Sequence, residues 1–296
     1  MKSEKPTLTS SLKAYFYLLP ALLIIGIFNI IPIFRSFEMA FWTDYNFINR
    51  EVYEYGVQNF VRLWEDQHFW IALRNTVSFV FIVVPLQTFI SLSIALMLNS
   101  KIKAKGLFRS IYFLPSITSL VAIAMVWQFI FHTDHGILNS ILGFFGFDPI
   151  RWLTRPEHAM TSLIIMSIWR SLGFGVVVLL AGLQKVDKRL YLAAKVDGAR
   201  TWNRFKTVTL PAISPTLLFI AIISVIQAFR LFTEVFSLFQ GEPGPANSTL
   251  TMVFYIWQTF HNRHLGLSSA ATVILFIIIF ICTMIQLYIG KKVVHY

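Results

Sequence analysis

Six long apolar runs, each close to the ~20 residues that a helix needs to cross a bilayer core, dominate this chain. They are Tyr15–Phe34, Thr76–Leu98, Ile111–Phe131, Ala159–Leu183, Pro215–Phe239 and Ser268–Ile289. Lipid offers no partner to a free N–H or C=O, so a crossing segment must close its own hydrogen bonds as a helix or join a closed barrel. Barrel strands alternate polar and apolar residues, and Phe276-Ile277-Ile278-Ile279-Phe280-Ile281 does not. The predicted fold class is therefore an all-α integral membrane protein with about six transmembrane helices. Composition agrees, since 13% of the residues are charged, about half the share in a soluble domain. The first run is longer than a signal-peptide core and lacks a small-residue cleavage site before Arg35, so it is expected to be retained.

The net charge of +11 raises the possibility of a nucleic-acid partner, and its distribution argues against one. With the N-terminus inside, the 1–14 tail, the 99–110 and 184–214 connections and the 290–296 tail hold sixteen Lys and Arg, against seven in the opposite loops. Acidic residues run the other way, three against ten. Lys and Arg resist translocation, so both termini are predicted to be cytoplasmic, with anionic lipid as a further partner of the basic face. No repeat or linker divides the chain, so one membrane domain, 15–289, is expected between two cytoplasmic tails. The single cysteine, Cys282, lies in the last run and leaves no internal disulfide or Cys-based metal site.

The loops differ in kind. Arg35–Asn75 is a long external loop with a helical stretch at Asn59–Trp64, and His132–His158 carries Gly136, Gly143, Gly146, Pro149 and Pro156 as turns. Gln240–Leu267 opens with Gly241-Glu242-Pro243-Gly244-Pro245 and leaves room for a short helix at Thr251–Phe260. The largest cytoplasmic connection, 184–214, reads Tyr191-Leu192-Ala193-Ala194-Lys195-Val196-Asp197-Gly198-Ala199-Arg200, then Trp202, Phe205 and Leu210-Pro211. It predicts a short helix rich in small residues, a break at Asp197-Gly198, and a second amphipathic helix that stops at Pro211. Such a unit either fits a groove in a soluble partner or lies on the membrane as a connector. Asp197 could cap the segment that begins at Gly198, and Gly198 could simply end a helix.

From Ala193 through Pro211 this connection resembles the shared cytoplasmic loop of bacterial ABC importer permeases, in the family that takes up oligosaccharides and glycerol phosphate. The resemblance extends to Asn59-Phe60, Trp70, Asn75-Thr76, Arg109, Pro115, Trp127, Gly136, Asn139, Gly244-Pro245, Thr249, Phe260, Gly266 and Ser269-Ala270. It implies a type I ABC importer permease fold in the bacterial plasma membrane. It also implies that Leu192, Ala193, Ala194, Asp197, Gly198, Ala199, Trp202, Phe205, Leu210 and Pro211 form a coupling helix that docks on an ATPase. The implied partners are a second, homologous permease, two cytoplasmic ABC ATPase subunits that handle ATP and Mg, an extracytoplasmic solute-binding protein and a sugar. Leu192 stands where the family has a glutamate, so this part of the docking is expected to rest on packing.

Charges inside the runs mark protein interiors or water-filled paths. Arg170 is near mid-membrane, and Arg230 and Glu234 are four residues apart on what is predicted to be one face of the fifth helix. They form either a structural ion pair or, with Gln227, the lining of a sugar path, to which Trp127, Trp169, Phe174 and Phe229 could add ring faces. Gly173 and Gly175 are expected to let helices approach closely.

No His-Glu-x-x-His, Gly-x-Ser-x-Gly or phosphate-cradling Gly-x-x-x-x-Gly-Lys-Ser/Thr motif occurs, so neither catalysis nor ATP binding by this chain is expected. His132-x-x-His135 and His261-x-x-His264 lack an evident third ligand, and no metal or other cofactor is expected. The alternative is a self-sufficient secondary transporter or channel, which would ordinarily show coupling-ion carboxylates in the spans and an inverted repeat. Glu234 is the lone carboxylate in the six runs.

Overall fold

The computed structural model describes residues 8–46, 48–49, 51–100 and 105–293. The ends of both predicted tails, 1–7 and 294–296, lie outside these residues, as does Lys103. Five helices among the described residues are long and apolar enough to cross a membrane: Phe16–Met39, Gln67–Asn99, Pro156–Lys185, Thr201–Phe229 and Leu265–Lys292. The third predicted run is instead two helices, Gly106–Ile117 and Leu120–Ile130, which meet at 103°. Ser119 between them has ψ 129°, outside the helical range, so the ladder cannot pass through it.

Two proline positions show how a helix survives where the sequence predicts a stop. The expected end at Pro211 does not occur, and the chain is helical from Thr201 to Phe229. Proline lacks an N–H and crowds the carbonyl four residues back. A π-helical turn at Phe205–Thr209 precedes it, and the Leu210 N–H donates to the Phe205 carbonyl five residues back, so the wider turn absorbs the fault. The first span repeats the device. A π-turn at Gly26–Ile30 precedes Pro32, with the Ile31 N–H donating to the Gly26 carbonyl.

The fifth predicted run is cut short. Its helix ends at Phe229, Arg230 to Phe232 leave helical geometry, and a separate helix spans Thr233–Leu238. The Leu231 carbonyl accepts from Thr251 Oγ1 at 2.7 Å, and Phe232 has φ −138°. Arg230 and Glu234 therefore do not share a helix face, which corrects the expectation above.

The residues separate into two compact units, 1–65 with 259–274 and 66–258 with 275–296. The first holds the first span, whose large apolar side chains are exposed as a lipid-facing surface requires. It also holds a hairpin that the sequence reading missed, β1 (Trp42–Asn46) antiparallel to β2 (Glu51–Tyr55), and the expected helix at Gln58–Glu65. Asn59 is buried and ties these together, donating through Nδ2 to the carbonyls of Ala40 and Trp42 at 3.0 and 2.9 Å.

In the second unit the second, fourth and fifth spans share an apolar core built on Ala95, Val176, Leu179, Leu183, Ile213 and Ile220. Small residues set the helix spacing. A β-carbon on Gly175 would meet Ser91 Oγ at 2.6 Å, and one on Gly173 would strike the Tyr112 carbonyl. The 240–267 connection is fastened to the second span through Asn75 Nδ2, which donates to the carbonyls of Asn247 and Leu250, both at 3.0 Å. Thr76 Oγ1 next to it accepts from the Met252 N–H. The expected short helix follows as Met252–His261.

Candidate functional site

The 184–214 connection folds as two helices with a defined hinge. Asp187 begins the first, accepting the Arg189 N–H at 2.8 Å, which satisfies one of the free donors at a helix start. The Arg189 side chain also bonds this carboxylate and, together with its own backbone N–H, holds the carboxyl below the usual carboxylate range.

The helix runs Lys188–Val196 and ends with Asp197 as its last half-helical residue. The Gly198 N–H donates to Lys195 O and the Ala199 N–H to Ala194 O, the paired bonds that close a helix through a left-handed residue. Gly198 has φ +73°, which a side chain disfavours. Asp197 thus belongs to the end of the first helix, not the start of the next, whose cap is Arg200.

The second helix presents Trp202 stacked on Phe205 at 5.4 Å between centroids, with Lys206 Nζ 5.1 Å from the Trp202 ring. Tyr191 and Thr209 exchange a hydroxyl hydrogen bond of 3.0 Å that holds the first helix against the π-turn. Leu192 is 63% exposed, Val196 88% and Trp202 61%. Three apolar side chains facing solvent beside a braced hinge leave an uncovered patch. Ala193 is exposed, Ala194 and Ala199 are half-buried, Leu210 is exposed and Pro211 is half-buried.

A second candidate lies between the spans. A cavity of about 280 Å³ is lined by Gln87, Ser91, Arg170, Ser171, Ser224 and Gln227 together with the rings of Phe113 and Phe174. A smaller pocket of about 40 Å³ shares Gln87, Arg170 and Gln227 and reaches Glu234. Ser171 Oγ lies 2.6 Å from Gln87 Oε1. Arg170 Nη1 donates to Glu234 Oε1 at 3.1 Å, so Glu234 pairs with Arg170 and not with Arg230. Arg170 Nε and Ser167 Oγ are buried and have no hydrogen-bond partner among the described residues.

Of the predicted path residues, Arg170, Gln227 and Glu234 therefore come together. Trp127 is buried against Phe131 and Trp169, with centroids at 4.9 and 5.6 Å. Phe229 is buried and Arg230 exposed, and neither lines these cavities. Gln87, Ser171, Ser224 and Phe113 were not singled out from sequence, because single Ser and Gln residues in an apolar run carry no spacing signal.

His132 Nδ1 accepts the backbone N–H groups of Asp134 and His135, and its ring stacks on that of His135 at 5.6 Å. It closes a turn.

Comparison with known proteins matches residues 87–295 to a family described as binding-protein-dependent transport system inner membrane component. The lactose transport system permease protein LacF of Rhizobium radiobacter is 37% identical over 297 residues, covering 97% of this chain and 98% of that protein. The trehalose/maltose transport system permease protein MalF of Thermococcus litoralis is 32% identical over 290 residues, covering 96% and 97%. The fold matches a bacterial ABC transporter involved in import of the acidic polysaccharide alginate, with a TM-score of 0.84 at 23% identity over 97% of this chain and 98% of that one.

Proposed function

This chain belongs to the inner membrane components of binding-protein-dependent transport systems and is a permease subunit of an ABC importer, and on that premise we propose that it passes an uncharged sugar through the cavity at Arg170. The carrying observation is the chemistry of that cavity. Amide and hydroxyl groups of Gln87, Ser171, Ser224 and Gln227 can exchange hydrogen bonds with sugar hydroxyls, while Phe113 and Phe174 offer ring faces to the apolar side of a pyranose. The guanidinium of Arg170 is balanced by Glu234, so the site carries no net charge with which to hold an anion. The sugars named for the relatives in lactose and trehalose/maltose transport are of this uncharged class.

Transport runs by alternating access. A solute-binding protein delivers sugar outside, ATP and Mg act on two separate ATPase subunits, and the second permease completes the passage. The chain performs no chemistry of its own and holds no cofactor. The hinge at Gly198 and the exposed Leu192, Val196 and Trp202 form the surface on which an ATPase docks, and its closure is passed to the spans through the Tyr191–Thr209 bond and the unbroken helix from Thr201. Glu234 is tied to Arg170, which disfavours the role of coupling-ion ligand that a secondary transporter would require.

The test is uptake by the reconstituted complex with its binding protein, using lactose, trehalose, maltose and a uronate disaccharide. Phe174→Ala and Gln87→Ala are expected to assemble normally and to transport the preferred neutral sugar at least about tenfold more slowly. Normal uptake by both variants overturns the assignment of this cavity.

A further inference from the structure

Resting on the importer assignment, with the hairpin unit facing outward, we propose that the cleft between the β1–β2 hairpin and the start of the last span receives a carboxylate side chain of the solute-binding protein, with Arg263 as the anchoring cation and Trp42 as a hydrogen-bond donor. The cleft has a volume of about 510 Å³ and is lined by Trp42, Tyr45, Arg62, Arg263 and His264, with Asp44 as its lone acid. All of these residues belong to one compact unit.

Arg263 is the first observation. It joins the helix ending at His261 to the one starting at Leu265, with φ +65°. Its N–H donates to Phe260 O and the His264 N–H to Thr259 O, the closing pattern in which the left-handed residue is ordinarily glycine. A β-carbon is disfavoured there, and strain of this kind persists where the side chain has a use. Among the described residues no ion pair joins Arg263 or Arg62 to an acid.

Trp42 is the second. Its ring stacks on Tyr45 with centroids 5.0 Å apart and planes 15° from parallel, and its Nε1 is buried without a hydrogen-bond partner among the described residues. An indole N–H can only donate, so this position calls for an acceptor. Below it Asn59 Nδ2 donates to the Ala40 and Trp42 carbonyls and fixes the floor of the cleft.

Charge identifies the acceptor. Two arginines against one carboxylate make the cleft locally positive, whereas the predicted outer loops together hold ten acidic and seven basic residues. A carboxylate accepts from a guanidinium fork and from an indole N–H at once. The cations are exposed at the rim, where a protruding Asp or Glu can reach them, and transport in this family depends on a binding protein that must meet the outer face. The occupant is accordingly an acidic side chain on that protein's docking surface.

The experiment uses the whole importer in nanodiscs and its solute-loaded binding protein. Arg263→Gly removes the charge and relieves the backbone, so it should melt no lower than the wild type. It should nevertheless bind the loaded binding protein at least about tenfold more weakly, with a flatter dependence on salt. Arg263→Lys should retain most of the affinity, and Trp42→Phe, which keeps the ring and loses the N–H, should weaken it severalfold. Unchanged affinity and salt dependence in Arg263→Gly overturn the proposal. So does a result in which acetate raises the melting temperature of the wild type but not of Arg263→Gly while binding-protein affinity stays the same, which would make the cleft a small-anion site. ATP hydrolysis by the wild-type complex in response to loaded binding protein tests the importer assignment separately, whatever Arg263→Gly does.

Discussion

Arg170 on the fourth span and Glu234 on the short helix beyond the break in the fifth meet at 3.1 Å, across 64 positions of sequence. Their side chains are 35% and 15% exposed, so the pair is neither a surface bridge nor a fully desolvated one. Removing one partner from a fully buried pair costs about 3–5 kcal/mol. Solvent reaching Arg170 reduces this, and Glu234→Gln or Arg170→Met should each cost about 1–2 kcal/mol. The double variant should lose less than the two singles added, as melting of the assembled complex will report. Arg230→Ala should change stability by no more than about 0.5 kcal/mol, because Arg230 is exposed and outside the cavity.

Two glycines should fail for different reasons. A β-carbon at Gly173 meets the Tyr112 carbonyl and the Phe113 Cα, both backbone, so Gly173→Ala must push helices apart at about 1–3 kcal/mol. At Gly198 a β-carbon meets nothing within 4 Å, yet φ is +73°, and Gly198→Ala should cost about 1–2 kcal/mol from backbone conformation alone. Gly198→Asn should cost less, since asparagine tolerates the left-handed region. Equal losses from Ala and Asn at 198 would mean that the φ requirement is not the cause.

The acid side of the pH profile should reach the 188–196 helix through Asp187. Its carboxyl titrates below its ordinary value because the Arg189 side chain and then the Arg189 N–H bond to it. A depressed folded value means that its contribution is complete above the unfolded value and fades as pH falls through the folded one. Protection of the 188–196 amides from exchange should therefore be flat from neutral pH down to the ordinary carboxyl range and decline only below it. Asp187→Asn, which still caps a helix, should remove that decline; an unchanged decline would assign it to another group.

Much of the architecture is legible because lipid allows a crossing segment few alternatives. The apolar runs report spans, and the positions carrying the family resemblance turn out to be anchors: Asn59 on the Ala40 and Trp42 carbonyls, Asn75 on those of Asn247 and Leu250. The break at Arg230 was not legible. No Pro or Gly lies between Phe229 and Thr233, and the cause is a Thr251 hydroxyl taking the Leu231 carbonyl from twenty residues away. Pro211 erred in the opposite direction, since its local stop signal is cancelled by a π-turn that no composition rule announces. The cavity escaped for the same reason as the Arg170–Glu234 pair: its members come from separate spans and meet only after packing.

Topology is open to direct labelling. Cysteine at Lys188 should react with a membrane-impermeant maleimide only from the cytoplasm, and cysteine at Glu54 or Asp148 only from outside, following the excess of basic residues on one set of loops. All three positions are exposed, so burial would not mask the result. Labelling of position 188 from outside would remove the docking surface from the side on which ATP is found.

Leu192 provides the sharpest test of how that surface works. It is 63% exposed beside Val196 and Trp202, in a position where resemblance to the family leads one to expect a glutamate. Docking through an apolar contact is insensitive to salt, while docking through a charge pair weakens as screening increases. The wild-type complex should accordingly keep its ATPase subunits from low to high ionic strength, and Leu192→Ala should lower the affinity by about tenfold or less, the loss of one partly exposed contact. Leu192→Glu separates the alternatives. If the ATPase groove is apolar, a charge buried there without a partner weakens binding more than Leu192→Ala does. Tighter, salt-sensitive binding of Leu192→Glu would instead show that the groove retains a cation for the missing acid. Gly198→Trp adds bulk at the hinge and should leave the permease inserted but without bound ATPase or without transport. Normal coupling in that variant would mean that the segment from Lys188 to Pro211 is not the docking element.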